Sequence, residues 1–145
     1  IGLYDNVLGI ALVYAGVNLP MSFMVIKGYM DTIPGELLES AKIDGATAGQ
    51  SFWKIILPVS KPGIVTACIF LVINSWNELL FANLLNQSDS SRTIQVANRS
   101  FLMTFEANYA YAFAAMVISI LPTIIIYALL TDRIIGGMTA GAVKG

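Results

Sequence analysis

Glu39-Ser40-Ala41-Lys42-Ile43-Asp44-Gly45-Ala46-Thr47-Ala48-Gly49-Gln50-Ser51-Phe52-Trp53-Lys54-Ile55-Ile56-Leu57-Pro58 sits inside a polar stretch, Met30 to Pro62, that separates two long apolar runs. It reads as helix, turn, helix. Thr32 is placed to cap the first helix and Pro34 to lie near its first turn, with Glu36 and Glu39 early, where the helix dipole favours negative charge. That helix should end near Asp44 and Gly45. Leu37, Leu38 and Ala41 share one face at three- and four-residue spacing, while Glu39 and Lys42 are spaced to pair on the other. Thr47-Ala48-Gly49-Gln50 has capping-box form, so a second helix starts at Thr47 and carries Phe52, Trp53, Ile55 and Ile56 up to Pro58. An unstructured connector needs no such order. Two uses suit a compact hairpin of this kind: a rigid knob that a soluble partner grips, or an interfacial helix pair with Phe52 and Trp53 at headgroup level. The residues favour the two equally.

Outward from the hairpin, three segments are apolar enough to cross a bilayer, for which about 20 helical residues suffice. They run from Val7 to Tyr29, Gly63 to Leu85 and Ala110 to Thr131. The composition agrees: 57% of the residues are hydrophobic and 12% charged, against about 25% charged in an ordinary soluble domain. Each segment is interrupted, by Asn18 and Pro20, by Asn74, Asn77 and Glu78, and by Ser119 and Pro122. Such breaks are tolerated in lipid where neighbouring helices or a lined cavity satisfy the freed backbone groups, so the expected fold is an all-α, polytopic membrane helical bundle. The connection 30–62 carries Lys42, Lys54 and Lys61, with Lys27 at its edge, and the tail 132–145 carries Arg133 and Lys144. By the positive-inside tendency both face the cytoplasm, and the connection 86–109, with Arg92 and Arg99, faces outward. The first residue is Ile1 and no basic leader precedes it, which reads as a cut through a longer protein.

Much chemistry is excluded. There is no histidine, and Cys68 is the single cysteine, which removes zinc sites, Cys-His nucleophiles and disulfides. The eight Lys and Arg are dispersed and the net charge is -1, so no basic footprint for nucleic acid exists. No Gly-x4-Gly-Lys-Ser/Thr occurs, so any nucleotide is handled by another chain. No cofactor, metal or catalytic residue is expected.

The run Glu39-Ser40-Ala41-Lys42-Ile43-Asp44-Gly45-Ala46, with Phe52-Trp53-Lys54-Ile55-Ile56-Leu57-Pro58 and Pro62 after it, resembles the Glu-Ala-Ala loop of ABC importer permeases. The glutamate, the glycine and Ile55-x-Leu57-Pro58 are kept; Ser40 stands where the family usually has alanine, and both are small. The resemblance extends over the chain to the carbohydrate branch, through Asp44-Gly45-Ala46-Thr47, Trp76-Asn77-Glu78 and the terminal run Gly137 to Gly145. It implies the C-terminal part of one permease core, with earlier spans upstream. It also implies that the loop docks in a cytoplasmic ABC ATPase, through Glu39, Ser40, Ala41, Asp44, Gly45 and Ala46, with Phe52, Trp53, Leu57 and Pro58 in support. The further partners it implies are a second permease subunit, an external solute-binding protein and a carbohydrate substrate, with lipid around the spans; the outer connection is read equally as the contact for that binding protein and as a structured cover of the pore.

An ionisable group within a span costs on the order of 3 kcal/mol, so Glu78 is expected to face a cavity, a partner or the outer interface. Asn74 and Glu78 share a helical face, with Trp76 and Asn77 beside it. Amides, carboxylates and aromatic rings are what sugars meet, which makes Asn74, Trp76, Asn77 and Glu78 candidates for the solute pathway. The plainer reading is amide glue between helices, with Trp76 in an aromatic belt. For the whole chain, a fragment of a secondary transporter or channel is the alternative, and the ordered hairpin argues against it. The polar residues within the spans argue against an inert anchor.

Overall fold

In the computed structural model the chain is described at residues 2–103 and 109–142, with side-chain surroundings for 2–101 and 109–131. The described residues form helices and turns, with no strand among them. Helix α1 runs Val7–Met30, α2 Gly35–Ile43, α3 Ala48–Ser51, α4 Leu57–Val59, α5 Lys61–Asn77, α6 Leu80–Leu85, α7 Ile94–Met103 and α8 Tyr109–Ala142. Helix α1 and the Tyr109–Thr131 part of α8 are each long and apolar enough to cross a membrane; Ala48–Val59 and Lys61–Asn77, bent by 63° at Ser60, make a third such passage if taken together. The apolar run Gly63 to Leu85 is therefore two helices, with a break at Glu78 and Leu79. Helix continues through the first eleven residues of the tail, and Lys144 and Gly145 lie outside the described residues, as does Phe105 of the outer connection.

Contacts divide the chain into two units: Ile1–Leu19 with Leu71–Leu129, and Pro20–Phe70 with Leu130–Gly145. In the first unit, Ile10, Ala82 and Val96 form a small buried cluster against which Tyr14, Phe81 and Leu85 pack. Gly9 allows the chain to fold back here, since a Cβ at this position would lie 1.9 Å from the Leu3 carbonyl oxygen.

The segment before α1 is tied to the turn after α6. The Asp5 N–H donates to the Leu85 carbonyl at 2.8 Å. Its Oδ1 accepts the N–H groups of Gln87 and Ser88, each at 3.0 Å, and the Ser91 hydroxyl. Asp5 has φ +53°, a left-handed conformation that a short polar side chain tolerates better than most. Asn6 Oδ1 then caps α1 by accepting the Leu8 N–H at 2.9 Å. The Ser91 hydroxyl, followed by the Ser88 N–H, holds the Asp5 carboxyl down to about 2 from an ordinary 3.8. Because the folded value is the lower one, the tie is intact above about pH 4 and is lost as pH falls through about 2. The Gln87 and Ser88 amide proton resonances are expected to titrate together with a midpoint near 2, and Asp5→Asn to abolish that titration; a midpoint at the ordinary value would refute the tie.

In the second unit the hairpin is closed by backbone chemistry. Helix α2 ends in a Schellman motif: the Ala46 N–H returns to the Ala41 carbonyl at 2.9 Å and the Gly45 N–H to the Lys42 carbonyl at 3.0 Å, with Gly45 at φ +78°. Helix α3 opens with the capping box read from Thr47 and Gln50, whose reciprocal bonds measure 2.9 and 3.3 Å. After Ser51 the helix widens to a π turn over Phe52–Ile56, the Leu57 N–H reaching back to the Phe52 carbonyl. Pro58, which has no N–H to donate, follows this wide turn.

Two local expectations fail. Thr32 does not cap α2; Pro34 precedes the helix with ψ 132° and no side-chain cap. The Thr32 hydroxyl instead donates to the Tyr29 carbonyl at 2.7 Å, because the end of α1 lies nearer in sequence and has free acceptors. Among the described residues Glu39 and Lys42 form no ion pair, whereas Lys27 pairs with Asp31 at 2.6 Å. Both residues of the unmade pair are exposed, where such a pair gains little over hydration.

Gly63 meets Tyr29 so closely that a Cβ on it would stand 2.6 Å from the Tyr29 Cβ. Gly63→Ala is therefore expected to cost about 1–3 kcal/mol through a forced backbone shift, read as a lower thermal midpoint in detergent. An unchanged midpoint would show that this contact yields freely.

Candidate functional site: an exposed hairpin and a polar helix break

The hairpin presents a mixed surface. Glu39, Ser40, Asp44 and Gly45 are exposed, Ala46 is half-buried and Ala41 is buried, so Ala41 serves the underside of α2. The Ser40 hydroxyl is occupied at home, donating to the Glu36 carbonyl at 2.8 Å. Phe52 and Trp53 stack edge to face with centroids 5.4 Å apart. Both rings are exposed, Pro58 is exposed and Leu57 half-buried, so these residues form part of the surface as well as supporting it. Ile43 is 86% exposed, the most solvent-facing of the large apolar side chains among the described residues. Sequence reasoning missed Ile43. The available signal was its position off the Leu37, Leu38 and Ala41 stripe, which leaves it no face of α2 on which to be buried.

In the other unit, the four residues singled out on the middle run separate into two clusters. Glu78 and Asn74 turn toward α1. The Tyr14 hydroxyl donates to Glu78 Oε2 at 3.0 Å, and the same carboxyl accepts the N–H groups of Phe81 at 2.8 Å and Ala82 at 3.0 Å. Both oxygens are engaged, and they satisfy the start of α6 where the backbone is broken. Asn74 donates to Asn18 Oδ1 at 3.3 Å, and buried Asn18 donates in turn to the Tyr14 carbonyl at 2.9 Å.

Trp76 and Asn77 turn toward α8. The Trp76 indole N–H donates to the Ser119 carbonyl at 3.0 Å, one residue after Ile118, whose carbonyl loses its helical donor at Pro122. Asn77 donates to the Ile73 carbonyl at 2.8 Å and to the Thr123 hydroxyl at 3.3 Å. From α7, Gln95 donates to the Trp76 carbonyl at 3.2 Å, and Asn98 to the Ser119 hydroxyl. A recess of about 200 Å³ opens here, lined by Asn77, Gln95, Asn98, Met116, Ser119 and Ile120. Tyr14, Gln95, Asn98 and Thr123 were not legible as site residues. The i,i+4 spacing of Tyr14 and Asn18, and the i,i+3 spacing of Gln95 and Asn98, were the signals in the sequence.

Among the described residues no group of three or more His, Cys, Asp or Glu is arranged to hold a metal. What the polar elements supply is directional hydrogen bonding in an otherwise apolar environment: amides, an indole and hydroxyls, several of them committed to helix breaks.

Residues 1–139 match the family described as binding-protein-dependent transport system inner membrane component. The chain is similar to the trehalose transport system permease protein of Mycobacterium tuberculosis, 37% identical over 100% of this chain and 54% of that protein. It is similar to the diacetylchitobiose uptake system permease protein of Streptomyces coelicolor, 33% identical over 97% of this chain and 51% of that protein. The sulfoquinovosyl glycerol transport system permease protein of Agrobacterium fabrum is 30% identical over 100% of this chain and 51% of its own length. The chain thus spans about half the length of the curated relatives it matches. With all its described elements helical, apolar helices of membrane-crossing length and a match over nearly its whole length, this multi-pass inner-membrane chain belongs to the binding-protein-dependent transport system inner membrane component family.

Proposed function

We propose that the full-length protein is the permease subunit of an ATP-driven importer for a sugar or oligosaccharide. The observation that carries this reading is the hairpin: a helix opened by a capping box, another closed by a Schellman glycine, and Ile43 and Trp53 held outward at 86% and 67% exposure. Side chains of that size cost free energy in water, at roughly 25 cal/mol per Å² of apolar surface, and gain it when a partner covers them. The partner is a cytoplasmic ABC ATPase, on which ATP is hydrolysed. The acidic residues Glu39 and Asp44 rim the contact, and the short hairpin moves as one body when the ATPase closes.

In this reading the solute arrives from an external solute-binding protein, and a second permease subunit completes the pathway. Amide-rich walls around Asn77, Gln95 and Asn98 suit a hydroxylated solute, since each amide offers a donor and an acceptor. The carbohydrate class is supported by the trehalose and diacetylchitobiose permeases among the relatives. In this reading the Glu78 carboxyl holds the helix break beside the pathway, braced by the Tyr14 hydroxyl, while Asn74 is tied to Asn18 on α1. The apolar outer faces of α1 and α8, with residues such as Met24 at 70% and Leu129 at 75% exposed, are for lipid or the rest of the bundle.

The second reading, a secondary transporter or channel without nucleotide coupling, is favoured by the break at Glu78 and Leu79, since half-helix ends at mid-span are a device of such proteins. Uptake of a labelled sugar panel by cells carrying the full-length subunit, with and without a hydrolysis-deficient ATPase, separates the two. Uptake that survives loss of hydrolysis would sink the importer reading.

A further inference from the structure

A second recess in the first unit, of about 480 Å³, lies between the end of α6 and α7. Its walls carry the guanidinium groups of Arg92 and Arg99 and the amides of Asn83, Asn86 and Gln87, with Ser100 at the edge and Val96 as the apolar lining. Among the described residues no acidic side chain lines it. Arg92 reaches the Asp89 carboxylate at 3.1 Å, but that side chain is 93% exposed, so the pair is weak and readily exchanged. One Arg92 nitrogen also donates to the Gln87 carbonyl at 3.1 Å, while its Nε is buried and lacks a partner among the described residues. Half-buried Arg99 has neither an ion pair nor a hydrogen bond among the described residues. Asn86 is wholly buried; its Nδ2 donates to the Ser91 carbonyl at 3.0 Å, and its Oδ1 has no partner among the described residues.

Arg92 and Arg99 bring cationic donors to the recess and Asn83 and Gln87 bring amides, while the unmatched Arg92 Nε and Asn86 Oδ1 lie behind its wall. A ligand that answers both carries an oxyanion next to hydroxyl groups. Arginine forks match carboxylate geometry through paired, charge-assisted bonds. An acyl chain or a bare aromatic ring finds only Val96, which disfavours a lipid tail. The volume lies within the usual range for small-molecule sites, about 300–1,000 Å³. We propose that the recess lined by Arg92, Arg99, Asn83 and Gln87 binds a small hydroxylated carboxylate, a sugar acid by class, with the arginines on the carboxylate and the amides on the hydroxyls. The importer reading bears on this only for the origin of the solute.

The test uses the full-length protein with its partner subunits in phosphatidylcholine nanodiscs, and equilibrium dialysis at low salt with labelled glucuronate and, separately, labelled glucose. Glucuronate is expected to bind at least about tenfold more tightly than glucose, and Arg99→Gln and Arg92→Gln each to weaken it by about tenfold, with Arg99→Lys between. Asn83→Ala, at the rim, is expected to lose severalfold. Monodisperse elution of each variant reports that it has folded. Equal binding of the two solutes, or wild-type affinity in Arg99→Gln, overturns the proposal. So does displacement of glucuronate by a few per cent of phosphatidylglycerol, which would make this a headgroup site. Arg99 variants that alter only capture of the loaded binding protein would make it a protein contact and overturn it as well. Stimulation of ATP hydrolysis by binding protein loaded with a neutral sugar reports on the importer reading separately: its absence in the wild type sinks that reading and leaves glucuronate binding to stand or fall alone.

Discussion

Gly45→Leu is expected to abolish sugar uptake and to remove the ATPase from the purified complex while the protein still inserts in the membrane. Gly45 sits at φ +78° at the end of α2, and both closing hydrogen bonds depend on that conformation. A Cβ there would meet open space, so the penalty is conformational and not a clash. A left-handed backbone costs a side-chain-bearing residue roughly 1–2 kcal/mol. That sum is comparable to the strength of a small motif held by two backbone bonds, so the chain leaves α2 in another direction and Ile43 and Trp53 lose their fixed spacing. Gly45→Asn, which tolerates the left-handed region better, is expected to retain partial coupling. Equal co-purification of the ATPase with the wild type and the leucine variant would remove the hairpin from the coupling role.

Glu78→Ala is expected to produce the largest loss of stability among the polar substitutions. It strips the Phe81 and Ala82 N–H groups and the Tyr14 hydroxyl of their acceptor at once. A fully buried polar group left unmatched costs about 1–3 kcal/mol; these three bonds are part-buried and share one site, so the whole is expected at a few kcal/mol at most and not at a strict sum. Glu78→Gln keeps one carbonyl acceptor and is expected to lose about half as much. Detergent-resistant thermal midpoints give the ranking, and uptake kinetics give the mechanism: a fastener of the helix break lowers the maximal rate through loss of folded protein and leaves KM for sugar unchanged. A raised KM at wild-type stability would return Glu78 to direct contact with the solute.

The two units differ in how openly their residues declare themselves. The hairpin is built from contacts between residues at most five apart, so Thr47 with Gln50 and Ala41 with Ala46 were readable as a capping box and a glycine stop. The helices at each end were equally plain, since apolar length alone specifies them. Between Gly63 and Leu85 the same rule gave one run, yet the break at Glu78 depends on a tyrosine hydroxyl 64 residues away. Composition carries no information about such a partner.

By itself, then, the sequence determined helix type, span-length apolarity and the local closure of the hairpin, because each follows from near neighbours or from totals. Only the tertiary structure decided that Asn74 and Glu78 turn to α1 while Trp76 and Asn77 turn to α8, that Asp5 fastens the turn at Ser88, and that Arg92 and Arg99 line one recess with Asn86. The physical reason is that a polar side chain in an apolar setting takes whichever donor or acceptor the packing brings within about 3 Å, and packing is a property of the folded chain as a whole.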